Sequence, residues 1–245
     1  MKASEKVNFV SNWIKNYVEI MPNKAQSLIL GISGGIDSSV SSTLCAMTGM
    51  KTIVLSMPIK QKPEQHDLSL KHLEWLKKNF KNIEGHTINL DKLFGTFEKS
   101  LSNFGNDHGM ANSRSRLRMT TLYQVAAATK GIVVGTGNKV EDFGVGFYTK
   151  YGDGGVDISP IADCNKSEVR EMGKELNILS EIIEAAPTDG LWDDGRTDEG
   201  QLGLNYSELE EAMNDPNSPN REKYDKIRKL NLHKMEPIPV CKIPN

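Results

Sequence analysis

Val7, Val10, Trp13, Ile14, Tyr17 and Val18 recur at three- and four-residue steps, which predicts an amphipathic helix near the start of the chain. Ser27-Leu28-Ile29-Leu30-Gly31-Ile32 then forms a short apolar run ending in Ser33-Gly34-Gly35, the pattern of a buried strand entering a tight turn. Residues 38–48 read as a helix closed by Gly49, and 51–57 as a second buried strand stopped by Pro58. A helix over 64–80 carries Leu68, His72, Leu73, Trp75 and Leu76 on its inner side, and a third strand follows over 83–90. Helices over 91–103 and 112–130 precede Gly131-Ile132-Val133-Val134-Gly135, the clearest strand after the first. One more helix spans 166–177, with helical segments over 207–213 and 218–233. The tail from Pro237 to Pro244 is too rich in proline to be helical.

Strands alternating with helices predict an α/β fold: a doubly wound parallel sheet with helices on both faces. No internal repeat, low-complexity stretch or linker interrupts the pattern, so residues 1–245 read as one domain. Two stretches, 102–113 and 187–205, lack periodicity and carry Gly, Asn and Asp. Loops of that length inside a compact domain are usually functional or disordered, and both are read as lids that order over a ligand.

Charge and cysteine usage narrow the classes. Thirty Lys and Arg against 32 Asp and Glu leave a formal charge of -2, without the basic excess of a general nucleic-acid binder. No apolar run approaches the roughly 18–20 residues of a membrane span, and Met1-Lys2-Ala3-Ser4-Glu5-Lys6 lacks the core of a signal peptide. A cytoplasmic protein binding neither membrane nor nucleic acid is expected. At this length about 70% of the unfolded surface can be buried, so no staple is required. Cys45, Cys164 and Cys241 lie far apart and read as reduced thiols, two of them in or beside core elements. The five histidines show no H-x-x-x-H pairing. His66 and His72 do not share a helix face and are read as surface residues, although His72 falls on the apolar side.

In an open parallel sheet the ligand sits beyond the carboxyl ends of the strands. The turn after the first strand is Gly31-Ile32-Ser33-Gly34-Gly35-Ile36-Asp37-Ser38. Adjacent glycines let the backbone approach a ligand closely, and the following helix adds its positive end, so an anion such as phosphate is the natural occupant. Neither G-x-x-x-x-G-K-[ST] nor G-x-G-x-x-G is present. Asp37 would repel a phosphate unless a cation lay between them, and Mg²⁺ bridges carboxylates to phosphate oxygens. Asp37 could equally be a cap for a helix beginning at Ser38. Gly31-Ile32-Ser33-Gly34-Gly35 also satisfies G-x-S-x-G, the nucleophile elbow of hydrolases, but it follows the first strand of the chain and leaves no earlier strand for an oxyanion loop.

Ser33-Gly34-Gly35-Ile36-Asp37-Ser38 resembles the pyrophosphate loop of the ATP pyrophosphatases, which cleave ATP to AMP and pyrophosphate to adenylate a carboxylate or carbonyl oxygen. Further matches resemble one member, ammonia-dependent NAD synthetase. They are Gly135 to Glu141, the long stretch from Thr149 to Pro160, Asn112 to Met119, Ala186-Pro187-Thr188 and His233-Lys234. They run from about residue 8 to 240 in the family's order. The resemblance implies an adenine-nucleotide α-hydrolase-like fold and an ATP site at Gly31, Ile32, Ser33, Gly34, Gly35, Ile36, Asp37, Ser38, Thr136, Lys166 and Thr188. It implies Mg²⁺ on Asp37 and Glu141, and deamido-NAD contacts at Arg116, Lys150, Asp157, His233 and Lys234. A homodimer is also implied, with dinucleotide sites near the interface; Trp13 and Tyr17 could serve that interface or the core.

The implied chemistry has two steps: the nicotinate carboxylate attacks the α-phosphorus of ATP to give an NAD-adenylate and pyrophosphate, and ammonia then displaces AMP to give NAD. No covalent nucleophile is required. Asp157 or Asp153 could attract ammonium and accept its proton. Other readings are a tRNA- or GMP-type adenylating enzyme and a non-catalytic nucleotide-binding module; a pure binder has no need of a metal-bridged leaving group. By itself Glu141 would be a solvated loop residue, and Lys166, opening a helix against the macrodipole, is easier to explain beside phosphate. Arg114 and Arg118 share a helix line that excludes Arg116, and a solvated face is expected for Arg114. The chain departs from the family in small ways: Ser115 stands where alanine is usual, one residue is inserted between Glu141 and Lys150, and Gly137-Asn138-Lys139 replaces an Asp-His pair. Only one helix precedes the loop at residue 31, so a synthetase core without a glutaminase domain, fed by free ammonia, is expected.

Overall fold

Leu28, Ile29 and Leu30 are fully buried because the strand they form, β1 (Leu28–Gly31), lies inside a four-stranded parallel sheet of order β3-β2-β1-β4. The structure is a computed structural model; it describes residues 1–61, 63–188, 190–192 and 196–244, with the side chains of residues 63–65 excepted. β2 (Thr52–Ser56) pairs with β1 from Leu28↔Thr52 to Gly31↔Leu55, β3 (Ile83–Thr87) pairs with β2, and β4 (Ile132–Val133) pairs with the other edge of β1 at Leu28↔Ile132. A parallel bridge, Val134↔Ile158, extends the β4 side.

Alternation along β1 sends its side chains into two cores. Leu28 and Leu30 join α1 (Ala3–Ile20), α2 (Ile36–Met47), α3 (Pro63–Asn79) and α6 (Lys166–Glu175), through Val7, Ile14, Val40, Leu76 and Met172 among others. Ile29 joins α4 (Asp91–Ser100) and α5 (Asp107–Ala128) on the opposite face, through Phe94 and Ala126. Each fully buried leucine or isoleucine contributes roughly 1.5–3 kcal/mol. A third cluster, around Val140, Leu204, Tyr206 and Leu209, gathers α8 (Asp198–Leu202), α9 (Tyr206–Asn214) and α10 (Arg221–Met235) over a π-helical turn at Lys139–Val145. A short α7 (Ser180–Glu184) follows α6. The chain winds from β1 outward to β3 and then returns to add β4 on the other side of β1. That reversal opens a crevice at the carboxyl ends of β1 and β4.

The doubly wound sheet and its order of elements agree with the hydrophobic pattern, but four expectations change. Residues 102–113 are not an irregular loop: a 3-10 turn covers Ser102–Phe104 and α5 starts at Asp107, capped by Asn106, whose side chain accepts from the Gly109 N–H at 2.7 Å. The polar first turn of α5 hid that start. The expected loop over 187–205 contains α8, while residues 189 and 193–195 lie outside the described residues. The third and fourth strands are shorter than expected, ending at Thr87 and Val133. On α1, Trp13 and Tyr17, for which interface and core were both open, sit on the outer side, 39% and 36% exposed.

His72 is the fourth correction. It is fully buried, not a surface residue, with Nε2 2.9 Å from the Ser42 hydroxyl. That hydroxyl is directed to the Ser39 carbonyl at 3.0 Å, so the neutral ring donates from Nε2 and its Nδ1 has no hydrogen-bond partner among the described residues. His66, by contrast, is half-buried. Burial pushes the His72 pKa down from 6.5 to about 4, against a small opposing effect of the Ser39 backbone. Below pH 6.5 the unfolded chain therefore binds a proton that the folded chain refuses, and stability falls as pH drops from 6.5 towards 4. The loss by the bottom of that window is about 3 kcal/mol. His72→Gln should remove this part of the acid sensitivity, measured by urea unfolding across the window; parallel pH–stability curves for the two proteins would contradict the assignment.

Candidate active site

The turn leaving β1 is held by its own hydroxyls. Ser38 Oγ donates to the Gly35 carbonyl at 3.1 Å and accepts from the Ser33 N–H at 3.2 Å. Ser33 Oγ lies 3.2 Å from Ser38 Oγ and accepts from the Gly35 N–H at 3.2 Å, so this serine fastens the loop and is not presented as a nucleophile. Gly34 adopts φ 89°, the left-handed region that a side chain would strain. α2 starts at Ile36 with Gly35 at its N-cap, and the N–H groups of its first turn have no partner within the helix. Asp37 is thus not the cap. It lies inside the first turn, with its carboxylate free to reach across the crevice.

What it reaches is Lys166. The ammonium of Lys166, first residue of α6, stands 2.5 Å from Asp37 Oδ2 and 2.9 Å from Glu141 Oε1. The lysine side chain is 3% exposed and each carboxylate 16%. Asn138, fully buried at the end of the β4 loop, ties the group together: its Nδ2 donates to Asp37 Oδ1 at 3.2 Å, and its Oδ1 accepts from the N–H groups of Val140 and Glu141 at 3.1 Å each. That Asx turn starts the π-helical turn and aims Glu141 at the crevice. Tyr206 of α9 completes the enclosure, donating its hydroxyl to Glu141 and placing its ring 4.7 Å from the lysine nitrogen. Burial raises the Asp37 carboxyl above its usual range despite Lys166. Burial pushes Glu141 up as well, but the Lys166 charge and the Tyr206 hydroxyl outweigh it and hold Glu141 low. For Lys166, burial works against the charge, and the two carboxylates more than offset it.

These groups line a cavity of about 480 Å³. Every expected ATP-site residue is in its wall: Gly31 through Ser38, Thr136, Lys166 and Thr188, with Glu141 beside them. Met57, Leu122 and Val156 provide apolar surface, and Gly190, Leu191, Thr197 and Asp198 enclose it from the segment after α7. Arg114 is buried rather than solvated. Its guanidinium lies over the Phe94 ring at 5.1 Å and its Nη1 donates to the Leu191 carbonyl at 3.1 Å, fastening that enclosing segment to α5. Arg118 lines the cavity, with Nε donating to the Met57 carbonyl at 3.0 Å.

The five residues expected at deamido-NAD do not line this cavity. They gather instead along the segment 148–157. Arg116 donates to the Lys150 carbonyl at 3.3 Å, and Lys234, next to His233 on α10, donates to the Tyr148 carbonyl at 2.7 Å. Asp157 accepts from the Val133 N–H at 2.7 Å and the Tyr123 hydroxyl at 3.1 Å, so both its oxygens are engaged. The same segment faces the cavity through Gly152, Asp153, Gly155 and Val156, so it borders both residue sets. Its glycines follow from crowding: a Cβ on Gly152 would lie 2.3 Å from Ser115 Oγ, and one on Gly154 would lie 2.4 Å from the Tyr148 ring.

Asp37 and Glu141 present two hard oxygen donors facing one cation, and no cluster of three or more metal-ligating side chains exists among the described residues. That suits Mg²⁺, which takes one or two carboxylates and completes its shell with phosphate oxygens and water. Sequence reasoning missed the roles of Asn138 and Tyr206. Nothing local marks Asn138, in the loop beyond β4, or Tyr206, which arrives from 65 residues away. Lys166→Met should cost about 3–5 kcal/mol of stability by stranding two buried carboxylates. Adding Asp37→Asn and Glu141→Gln should recover much of that loss; equal denaturant midpoints for the single and triple variants would refute the coupling.

Comparison with known proteins agrees with this geometry. The NAD synthase family profile matches residues 6–242. A protein of Sulfurisphaera tokodaii named NH(3)-dependent NAD(+) synthetase is 34% identical over 91% of this chain and 81% of its own length. One of the same name from Carboxydothermus hydrogenoformans is 36% identical over 85% of this chain and 84% of its own. Among solved structures, NMN synthetase from Francisella tularensis superposes with a TM-score of 0.89 at 31% identity, covering 100% of this chain and 99% of that one. With its glycine loop, its paired carboxylates and its sheet reversal all in the places such a site requires, this chain belongs to the NAD synthase family.

Proposed function

We propose that this protein amidates deamido-NAD with ammonia at the expense of ATP, giving NAD, AMP and pyrophosphate. The observation that carries the reading is the Asp37–Lys166–Glu141 group set against an anion-binding loop at one strand end. Two carboxylates beside one ammonium leave a buried excess of negative charge, which has a use where a divalent cation and a polyphosphate arrive together. Asp37 and Glu141 would hold Mg²⁺, which when bound neutralises charge building on the departing pyrophosphate. Lys166 then becomes available to the phosphates. The first-turn N–H groups of α2 and the Gly34–Gly35 backbone bind and orient them.

In the first step a carboxylate oxygen of the nicotinate ring forms a bond to the α-phosphorus while the bond to the β-phosphate bridging oxygen breaks. In the second, the ammonia lone pair attacks the activated carbonyl carbon, the attacking nitrogen loses a proton to solvent, the acyl–phosphate C–O bond breaks, and AMP leaves with the electron pair. Ammonium must first surrender a proton. Of the two candidate acceptors, Asp157 has both oxygens committed and does not line the cavity, whereas Asp153 lines it and keeps Oδ2 uncommitted among the described residues. Asp153 is therefore the proposed acceptor. Arg116, Lys150, Asp157, His233 and Lys234 form the proposed dinucleotide surface along the 148–157 segment, which leads to the cavity. We also propose a homodimer in the cytoplasm, with the apolar stripe Phe9, Trp13, Tyr17 and Ile20 of α1 among its exposed surfaces. No helix among the described residues is long and apolar enough to cross a membrane.

A second reading follows from the Francisella tularensis structure, named NMN synthetase, whose fold matches along the whole chain. The acceptor would then be nicotinate mononucleotide, with the same adenylation and amidation. One assay separates the two. ATP, Mg²⁺ and ammonium are supplied with either deamido-NAD or nicotinate mononucleotide, and the products are resolved by chromatography. Preferred turnover of deamido-NAD to NAD, with AMP and pyrophosphate in equal amounts, is expected; preference for the mononucleotide supports the second reading, and ADP as product overturns both. Glutamine should not replace ammonium. Asp37→Asn should lower kcat by about 10²–10³-fold with circular dichroism unchanged, as loss of a group that balances transition-state charge does.

A further inference from the structure

Ser115, about two turns into α5 on its buried side, makes two reciprocal hydrogen bonds to a single residue. Its hydroxyl donates to Asp153 Oδ1 at 2.7 Å and accepts from the Asp153 N–H at 2.8 Å. The Thr149 N–H adds a second bond to the same oxygen, at 3.0 Å. One carboxylate oxygen of Asp153 is thereby fixed by two donors while the other takes no bond among the described residues, and Asp153 is solvent-exposed at the cavity wall. The seat is tight. Ser115 is itself buried, and its Oγ would lie 2.3 Å from any Cβ placed on Gly152. The hydroxyl cannot be replaced there by a bulkier group, and an alanine would leave Asp153 with the Thr149 contact alone.

We propose that Ser115 is a positioning residue for the amidation step: it locks the Asp153 side chain so that Oδ2 faces the cavity, where ammonium gives up its proton. The inference rests on the reading of Asp153 as proton acceptor. In that step an N–H bond of ammonium breaks, the proton moves to Asp153 Oδ2, and the freed lone pair attacks the activated carbonyl. A hydroxyl that fixes one oxygen of a charged acceptor limits the carboxylate to one rotamer and keeps its open oxygen aimed at the substrate. Nothing in this arrangement touches the ATP loop, so its effect is confined to the nitrogen substrate.

Steady-state kinetics on Ser115→Ala, Asp153→Asn and the double variant, at one fixed pH, tests the proposal. Ser115→Ala should raise the KM for ammonium about 5- to 10-fold, the scale of one hydrogen bond to a charged group, with the KM for ATP within about twofold. In the Asp153→Asn background the same change should alter ammonium dependence by less than about twofold, because no carboxylate is left to aim. Wild-type ammonium dependence in Ser115→Ala overturns the proposal, as does an equal penalty in both backgrounds or an equal rise in the KM for ATP, each of which marks a merely structural contact. If Asp153→Asn itself leaves ammonium dependence unchanged, the reading of Asp153 fails and the role of Ser115 falls with it.

Discussion

The buried ammonium of Lys166 between Asp37 and Glu141 is the interaction on which the site depends. Three separate pieces of chain meet there: the loop after β1, the turn after β4 and the first residue of α6. None could be buried alone, since an isolated charge in a protein interior costs several kcal/mol. Together they fix the spacing of both sides of the crevice at the point where the sheet reverses its winding. Asn138 donates to the second oxygen of Asp37, and Tyr206 donates to the Glu141 oxygen that Lys166 also contacts, so the group is held by hydrogen bonds as well as by charge. Two carboxylates against one cation leave it short of positive charge, and that shortage ties the fold to its chemistry.

The sheet positions this group through burial alone. β1 can sit at the centre because every one of its side chains up to Leu30 is apolar, feeding one core through Leu28 and Leu30 and the other through Ile29. Its last residue is a glycine at the crevice, where Met57 already approaches a would-be Cβ to 3.1 Å. From there the chain turns into α2 with its N–H groups facing the cavity. A rigid, buried strand and a helix start supply the anion site; the enclosing segment is tied to α5 by Arg114 and held internally by the Thr188 hydroxyl, which donates to the Arg196 carbonyl at 3.2 Å.

How much of this was legible in the sequence depended on the range of the interaction involved. The strand–turn–helix at Leu28–Met47 could be read because its signals are local: an apolar run, two glycines and a helix start. The fold class followed from alternation of such units. Local polarity misled at α5, where Asn106-Asp107-His108-Gly109 looks like loop but is a cap and first turn. It misled again at His72 and Arg114, polar residues whose burial is decided by partners on other elements: Ser42 for one, Phe94 and Leu191 for the other. The ion group was half legible. Asp37 stood out because a carboxylate in a phosphate loop needs an explanation, and Lys166 and Glu141 came only through family resemblance. Tyr206 and Asn138 could not be seen, since their roles exist only once the third core cluster is folded over the crevice.

The central claim is that this group serves transfer of an adenylyl unit to the acceptor carboxylate, before and apart from the nitrogen chemistry. Exchange of labelled pyrophosphate into ATP, measured with Mg²⁺ and deamido-NAD but without ammonium, tests that directly. Label should enter ATP only when the acceptor is present, and it should do so with no nitrogen source at all. Exchange that proceeds without the acceptor, or that requires ammonium, would contradict the account.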